Sequence, residues 1–277
     1  MTKPLWKRHR IAPDQVVDLS AIDPADTSER PDGKDAGRIE LEALRNRLTD
    51  LQHLFWADGR HKLLVVFQAM DAGGKDGTIR SVFGGVNPHG VDISDFKAPT
   101  ARELAQDYLW RIHQRTPENG LIRIFNRSHY EDVLVVRVMD LVPEERWRRR
   151  YRHIAEFEQM LVDEGTTILK FFLHISPEEQ ATRLQERLDD PAKRWKFNAS
   201  DLIARERWND YMAAYEEAIA ATSTAEAPWH VVPADKNWYR NLVVADTVVA
   251  TLESLDLRFP DPPDDLGDVV IGTVSER

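Results

Sequence analysis

A lysine that follows two glycines at the end of an apolar run is built to hold phosphate, and this chain has one at Lys75. The segment Leu63-Leu64-Val65-Val66-Phe67-Gln68-Ala69-Met70-Asp71-Ala72-Gly73-Gly74-Lys75-Asp76-Gly77-Thr78 reads as a buried strand, a glycine-rich turn and the start of a helix. Backbone N–H groups of such a turn point at one spot, and the lysine adds a full positive charge there. Gly73, Gly74 and Gly77 supply amides, with Ala72, Asp76 and Thr78 completing the substrate-facing turn. The usual pattern is G-x-x-x-x-G-K-[ST], whereas here Ala69 replaces the first glycine and Asp76 stands where a magnesium-binding hydroxyl is expected. Carboxylates at Asp71 and Asp76 repel a nucleoside triphosphate unless metal ions intervene, which points away from an ordinary ATPase.

Two further groups supply the remaining parts of a phosphoryl-transfer site, which needs in-line oxygens and neutralised charge more than covalent help. Asn126-Arg127-Ser128-His129-Tyr130-Glu131-Asp132 follows the apolar run Leu121–Phe125. There Arg127 is a candidate to touch the moving phosphate, and Asp132 with Asp71 is a candidate magnesium pair, direct or through water. Arg183 and Arg187, one helical turn apart, lead into Asp189-Asp190-Pro191-Ala192-Lys193-Arg194-Trp195-Lys196, a basic segment suited to closing over the site. Lys97, within Val91–Thr100 beside a further candidate strand, is either a phosphate contact or a surface lysine.

Each assignment has a plainer rival. Asp71 could cap the Lys75 helix, and Glu131 and Asp132 could serve a helix dipole. The run Arg146, Arg148, Arg149, Arg150 and Arg152 reads as a solvated face or a subunit contact. His113 and His129 read as structural, because transfer to a phosphate acceptor needs no proton removal near neutral pH. Trp195 either stacks on a base or anchors its segment, and the Trp208, Tyr211 and Tyr215 stripe is core.

The elements that must position these groups alternate. Leu41, Leu44, Leu48, Leu51 and Phe55 mark a helix, Leu63–Phe67 a strand, Arg102–Gln114 a helix and Leu121–Phe125 a strand. A long helix after Pro143 leads to a strand at Thr166–Leu173, and Ser176-Pro177-Glu178-Glu179 opens a helix with a capping box. A further helical stripe, the strand Trp229–Pro233 and a helix through Leu252 close the pattern. Alternation of this kind predicts a parallel sheet covered on both faces, with ligands at the carboxyl ends of its strands, where the first two polar groups share one site.

The 277 residues are 42% hydrophobic, enough for one large domain. A formal net charge of -10 argues against a protein that coats nucleic acid, although concentrated basic tracts can hold a polyanion in one channel. Zero cysteines exclude disulfides and thiolate metal sites. With no apolar stretch of membrane-spanning length and no apolar run after Met1-Thr2-Lys3-Pro4, the chain is expected to be soluble and cytoplasmic, away from membranes.

The runs Ala69–Ile79, Phe125–Val135 and Lys193–Asn198 together resemble the Walker A, Walker B and lid motifs of the type 2 polyphosphate kinases, over roughly Leu41 to Leu255. The resemblance implies an α/β protein with a three-layer P-loop kinase-like fold, a central parallel sheet and a helical lid. It divides the chain into an irregular arm (1–34), a kinase domain (35–258) with the lid around 183–200, and a tail (259–277). It implies transfer from inorganic polyphosphate to AMP or ADP, giving ADP or ATP, with magnesium, or manganese in its place, in a homo-oligomer, a dimer or tetramer. Carried over by position, Asp71, Lys75 and Asp132 are the catalytic and metal-site residues, Arg127 a phosphate ligand, and Arg187, Lys193, Arg194 and Lys196 the lid cations. Members with aspartate at the Asn126 position use it as the Walker B acid. Here Asp132 is expected to take that role. Glu131-Asp132 and Asn198-Ala199-Ser200-Asp201-Leu202 resemble the subgroup acting on both AMP and ADP. Two other readings are an ATP-dependent nucleoside monophosphate kinase, disfavoured by the missing hydroxyl after Lys75, and a polyphosphate-binding module without turnover.

Overall fold

The run Lys62–Gln68 is apolar at nearly every position because both of its faces are covered, as a central parallel strand requires. The computed structural model describes residues 4–262; of the expected tail at 259–277, everything beyond 262 lies outside them. In chain order the elements are α1 (Leu5–His9), α2 (Gly33–Asp58), β1 (Lys62–Gln68), α3 (Lys75–Phe83), β2 (Val91–Asp95), α4 (Ala101–Leu104), α5 (Trp110–His113) and β3 (Ile122–Asn126). Then follow α6 (Val135–Val138), α7 (Glu144–Asp163), β4 (Thr166–His174), α8 (Pro177–Asp189), α9 (Ala199–Glu206), α10 (Trp208–Thr222), β5 (Trp229–Pro233) and α11 (Asn237–Ser254).

All five strands are parallel, in the order β2-β3-β1-β4-β5. Alternate side chains of β1 enter two separate cores. Leu64 and Val66 pack with Tyr151 and Ile154 of α7 and Tyr215 and Ile219 of α10. Leu63, Val65 and Phe67 pack with Phe55 of α2, Ile79 of α3 and Leu242 and Val248 of α11. Each fully buried aliphatic or aromatic side chain is worth roughly 1.5–3 kcal/mol, so the two cores hold β1 rigidly beneath whatever its carboxyl end carries.

Three local expectations are revised. The stretch Arg102–Gln114 is two single turns rather than one helix, because Thr100 closes a capping box with Glu103 and Asp107 then accepts from Leu109 N at 2.9 Å, restarting the chain. Ser176 caps α8 by accepting from Glu179 N, but the reciprocal bond is not made: Ser176 N donates to Asp235 and Glu179 pairs with Arg183. The N-terminal arm contains α1 and a 3-10 turn at Leu19–Ala21, and it is pinned to the body by Ile11 N donating to Trp229 O at 2.8 Å and Leu19 N donating to Glu216 at 2.8 Å. Among the described residues no helix is long and apolar enough to cross a membrane.

Candidate functional site

The chain leaves β1 at Gln68 and turns sharply, with Gly73 N donating to Met70 O at 2.9 Å. A Cβ on Gly73 would sit 2.5 Å from Ala69 Cβ and 2.7 Å from Met70 O, so only glycine closes this turn. Ala72 (φ 60°) and Gly74 (φ 99°) adopt left-handed backbone, and Ala72 bears about 1–2 kcal/mol of strain for doing so. The amide of Gly73, expected to face a ligand, is spent within the turn, and the amides left for one are those of the first turn of α3. Lys75, the first residue of that helix, folds back so that Nζ donates to Ala69 O at 3.0 Å. It is 8% exposed, and burial, followed by the nearby Arg127 charge, lowers its pKa to about 8. Thr78, expected on the substrate side, is buried and donates its hydroxyl to Gly74 O, so its side chain belongs to the helix.

Pairing of β3 beside β1 sets Asn126 opposite Phe67, and the next amide, Arg127 N, donates to Phe67 O at 3.1 Å. Arg127 is also left-handed (φ 61°), which swings its guanidinium across to Asp71, Nη2 to Oδ1 at 2.7 Å. Asp71 is therefore an ion-pair partner of Arg127 and not the cap of α3, whose N-cap Gly74 receives no side-chain bond. Asn126 donates to Asp76 at 2.9 Å and to Asp95 at 2.6 Å, joining α3 to the end of β2.

Glu131 and Asp132 occupy a 3-10 turn, His129–Asp132, in which consecutive side chains diverge by about 120°. Glu131 faces the cradle. Burial raises its pKa, Arg127 and Lys75 oppose that, and Gln68, with its amide oxygen accepting from Ser128, donates to Glu131 Oε1 at 2.9 Å. Asp132 faces elsewhere: Arg150 Nη1 donates to its carboxylate at 3.1 Å and to its carbonyl at 2.9 Å, while that guanidinium stacks over Tyr108. Its pKa is raised by burial and held down by Arg150 and then Arg111. The structure thus brings together Asp71, Lys75, Arg127 and Glu131. The expected pair Asp71 and Asp132 is split between two arginines, because adjacent positions on a 3-10 turn cannot both point into one cradle. Arg150 is accordingly no surface residue, unlike Arg148 and Arg149, which pair with glutamates on the exposed face of α7.

The predicted lid cations divide. Lys196 reaches Asp76 at 3.8 Å. Arg187 lies 3.4 Å from Asp201, the residue that closes the capping box of α9. Lys193 pairs with Asp190, and Arg194 donates to Leu188 O, so both turn onto the end of α8. Trp195 is 77% exposed with its indole N–H on Ala192 O. Lys97 is exposed, and its carbonyl accepts from Arg111. Helix α8 is tied to the loop by Gln180, donating to Asp71 O at 3.0 Å, and by Arg183, donating to Ala72 O at 3.2 Å. Beneath the 3-10 turn lies a closed network: Lys170 Nζ donates to Glu158 (2.5 Å), Tyr130 OH and Thr222 O, and Glu158 also meets His129 and Tyr130 OH. His129 is thereby a structural group. Gln68, Gln180 and Arg240, all placed here by the fold, carry no motif that would single them out in the sequence.

Among the described residues no three His, Asp or Glu side chains converge to hold a metal unaided. A magnesium ion commonly takes one or two carboxylates and completes its shell with water and substrate phosphates, and Asp71 and Glu131 are the carboxylates at the cradle that could serve one.

Residues 32–260 match the model of a family described as polyphosphate kinase 2. The chain is 60% identical over 256 residues to the AMP/ADP-polyphosphate phosphotransferase of Meiothermus ruber, covering 92% of this chain and 96% of that one. It is 43% identical over 267 residues to the ADP-polyphosphate phosphotransferase of Rhodopseudomonas palustris, covering 92% of each. The crystal structure of polyphosphate kinase 2 from Arthrobacter aurescens superposes with a TM-score of 0.92 at 41% identity, over 96% of this chain and 94% of that one.

Proposed function

Because the chain belongs to the polyphosphate kinase 2 family, we propose that it moves the terminal phosphoryl group of inorganic polyphosphate onto AMP and ADP, forming ADP and ATP. The exchange replaces one phosphoanhydride by another and is therefore reversible. The observation that carries the reading is the cradle itself: a buried lysine, a partly exposed arginine and the first amides of α3 converge at the carboxyl ends of β1 and β3, and a carboxylate, Asp76, replaces the hydroxyl that usually serves a nucleoside triphosphate's magnesium.

Lys75, Arg127 and the first amides of α3 hold the oxygens of the donor chain, and Arg127 lies where charge builds on the moving group. The acceptor phosphate approaches from the side of Arg111, Arg150 and Lys97, with Asp132 fixing the Arg150 fork. The segment 183–200 closes over both through Lys196. Asp71 and Glu131 are the carboxylates that fit magnesium. When bound, the ion neutralises charge shared between donor and acceptor phosphates.

Incubation of the purified protein with magnesium, AMP and long-chain polyphosphate, without ATP, tests this. Chromatography should show ADP and then ATP. Product only when ATP is the donor would replace the reading by that of a nucleoside monophosphate kinase. Binding of polyphosphate without product would make the chain a non-catalytic module.

A further inference from the structure

Helix α11 is almost wholly apolar where it meets the sheet, yet near its start it buries a guanidinium. Arg240 is 3% exposed, and its guanidinium lies against Gly74 and Gly77 of the phosphate loop and α3. A Cβ added to Gly74 would overlap Arg240 Nη1 and stand 3.4 Å from Arg183 Nη1, and one on Gly77 would meet Arg240 Nη2 at 3.6 Å. The guanidinium therefore abuts the backbone at the N-terminus of α3, the same backbone whose amides form the cradle.

Among the described residues, the groups that hold Arg240 are neutral oxygens. Nη1 donates to Asn237 Oδ1 at 2.7 Å, while Nε and Nη2 donate to Asn241 Oδ1 at 3.2 and 3.0 Å. The adjacent Arg183 is also cationic, and its one carboxylate, Glu179, sits on Nε. Its remaining bonds go to the carbonyls of Ala72, Ala234 and Asp235 and to Asn237 Oδ1. Among the described residues the two guanidiniums thus have one carboxylate beside them, the partly exposed Glu179. An uncompensated buried charge is costly, and the burial, followed by Arg183, lowers the Arg240 pKa to about 9. A charge held at such cost against a phosphate loop has an obvious counter-ion, the bound phosphate chain.

We propose that Arg240 is a positioning residue for the donor. It props the left-handed Gly74 and maintains positive potential at the N-terminus of α3, so that polyphosphate, rather than a protein carboxylate, completes its charge balance. The inference rests on the proposed donor, and it acts through Gly74 without contact to the phosphate.

Arg240→Met, Arg240→Gln and Arg240→Lys are compared in the full chain by thermal melts with and without long-chain polyphosphate, and by steady-state kinetics. Arg240→Met is expected to melt at or above the wild-type temperature without ligand and to show a smaller polyphosphate-induced shift. Its KM for polyphosphate should rise on the order of ten-fold, with kcat and the KM for AMP within about three-fold. Arg240→Lys should recover part of the loss. If Met fails to fold, Gln carries the same test. An unchanged KM for polyphosphate, or a melting loss in all three variants that parallels the loss of activity, overturns the proposal. If the wild-type protein bound polyphosphate without transferring phosphate, the functional reading would fall, while the ligand-induced melting shifts of the variants would still decide the role of Arg240.

Discussion

Lys75 carries a titration that reports on the cradle directly. Its ordinary pKa of 10.5 falls to about 8 in the folded chain, chiefly through burial. At 1.36 kcal/mol per unit, that displacement is about 3 kcal/mol. The unfolded chain keeps this proton up to pH 10.5 and the folded chain only up to about 8. Between those values the unfolded state binds more protons, so this group makes stability rise with pH; below pH 8 its full cost is present. Lys75→Met removes the cost and also the bond to Ala69 O, a loss of about 1 kcal/mol. At pH 7 the variant should therefore melt no lower than wild type, and up to about 4 °C higher at roughly 2 °C per kcal/mol. Near pH 10 the advantage should shrink towards zero, while transfer from polyphosphate falls by about 10²-fold or more at pH 7. Scanning calorimetry at both pH values, paired with the transfer assay, measures each part. A variant that melts several degrees below wild type by the same margin at both pH values would refute the idea that Lys75 is a strained, functionally retained charge.

Glu131→Gln should depress transfer at saturating substrates by about ten-fold or more, whereas Asp132→Asn should chiefly raise the KM for AMP by loosening Arg150; steady-state kinetics with each substrate varied in turn separates them. Asn126→Asp converts two donated bonds into a cluster of three carboxylates with Asp76 and Asp95, so its melting temperature should drop by several degrees in a chelator and recover on adding magnesium. Lys170→Met strands Glu158 in a dry core and should cost about 3–5 kcal/mol, read as a lower midpoint in denaturant titration, and adding Glu158→Leu should return much of it.

The parts of the fold legible from the chain were those whose burial is two-sided. β1 and β4 announce themselves because their central runs, Leu63–Phe67 and Phe171–Leu173 with Ile168 and Leu169, are apolar on both faces. β2 is an edge strand with mostly exposed side chains, Asp92 and Asp95 among them, and its membership comes only from pairing with β3. The break between α4 and α5 turns on one side-chain bond from Asp107, which helical periodicity cannot register. The arm gave least warning. Leu5, Ile11, Val17 and Leu19 are scattered without period, yet they are buried, Leu5 in one core and the other three in the other, while Val16 beside them is exposed.

The site divides along the same line. Asp71, Lys75 and Arg127 meet because each lies within one turn of a strand end, so sequence spacing carries their geometry almost unaltered. The choice between Glu131 and Asp132 is of a different kind. A helix or strand would have fixed their directions by a known period, but a four-residue 3-10 turn is aimed by what anchors it, and the anchor here is the buried Lys170–Glu158–His129–Tyr130 network together with Ser128 and Gln68. Those residues come from β1, β4 and α7, far apart along the chain. The network turns Glu131 towards the phosphate loop and leaves Asp132 to Arg150. On the proposed function, donor and acceptor phosphates would lie on two sides of this turn, with one carboxylate committed to each.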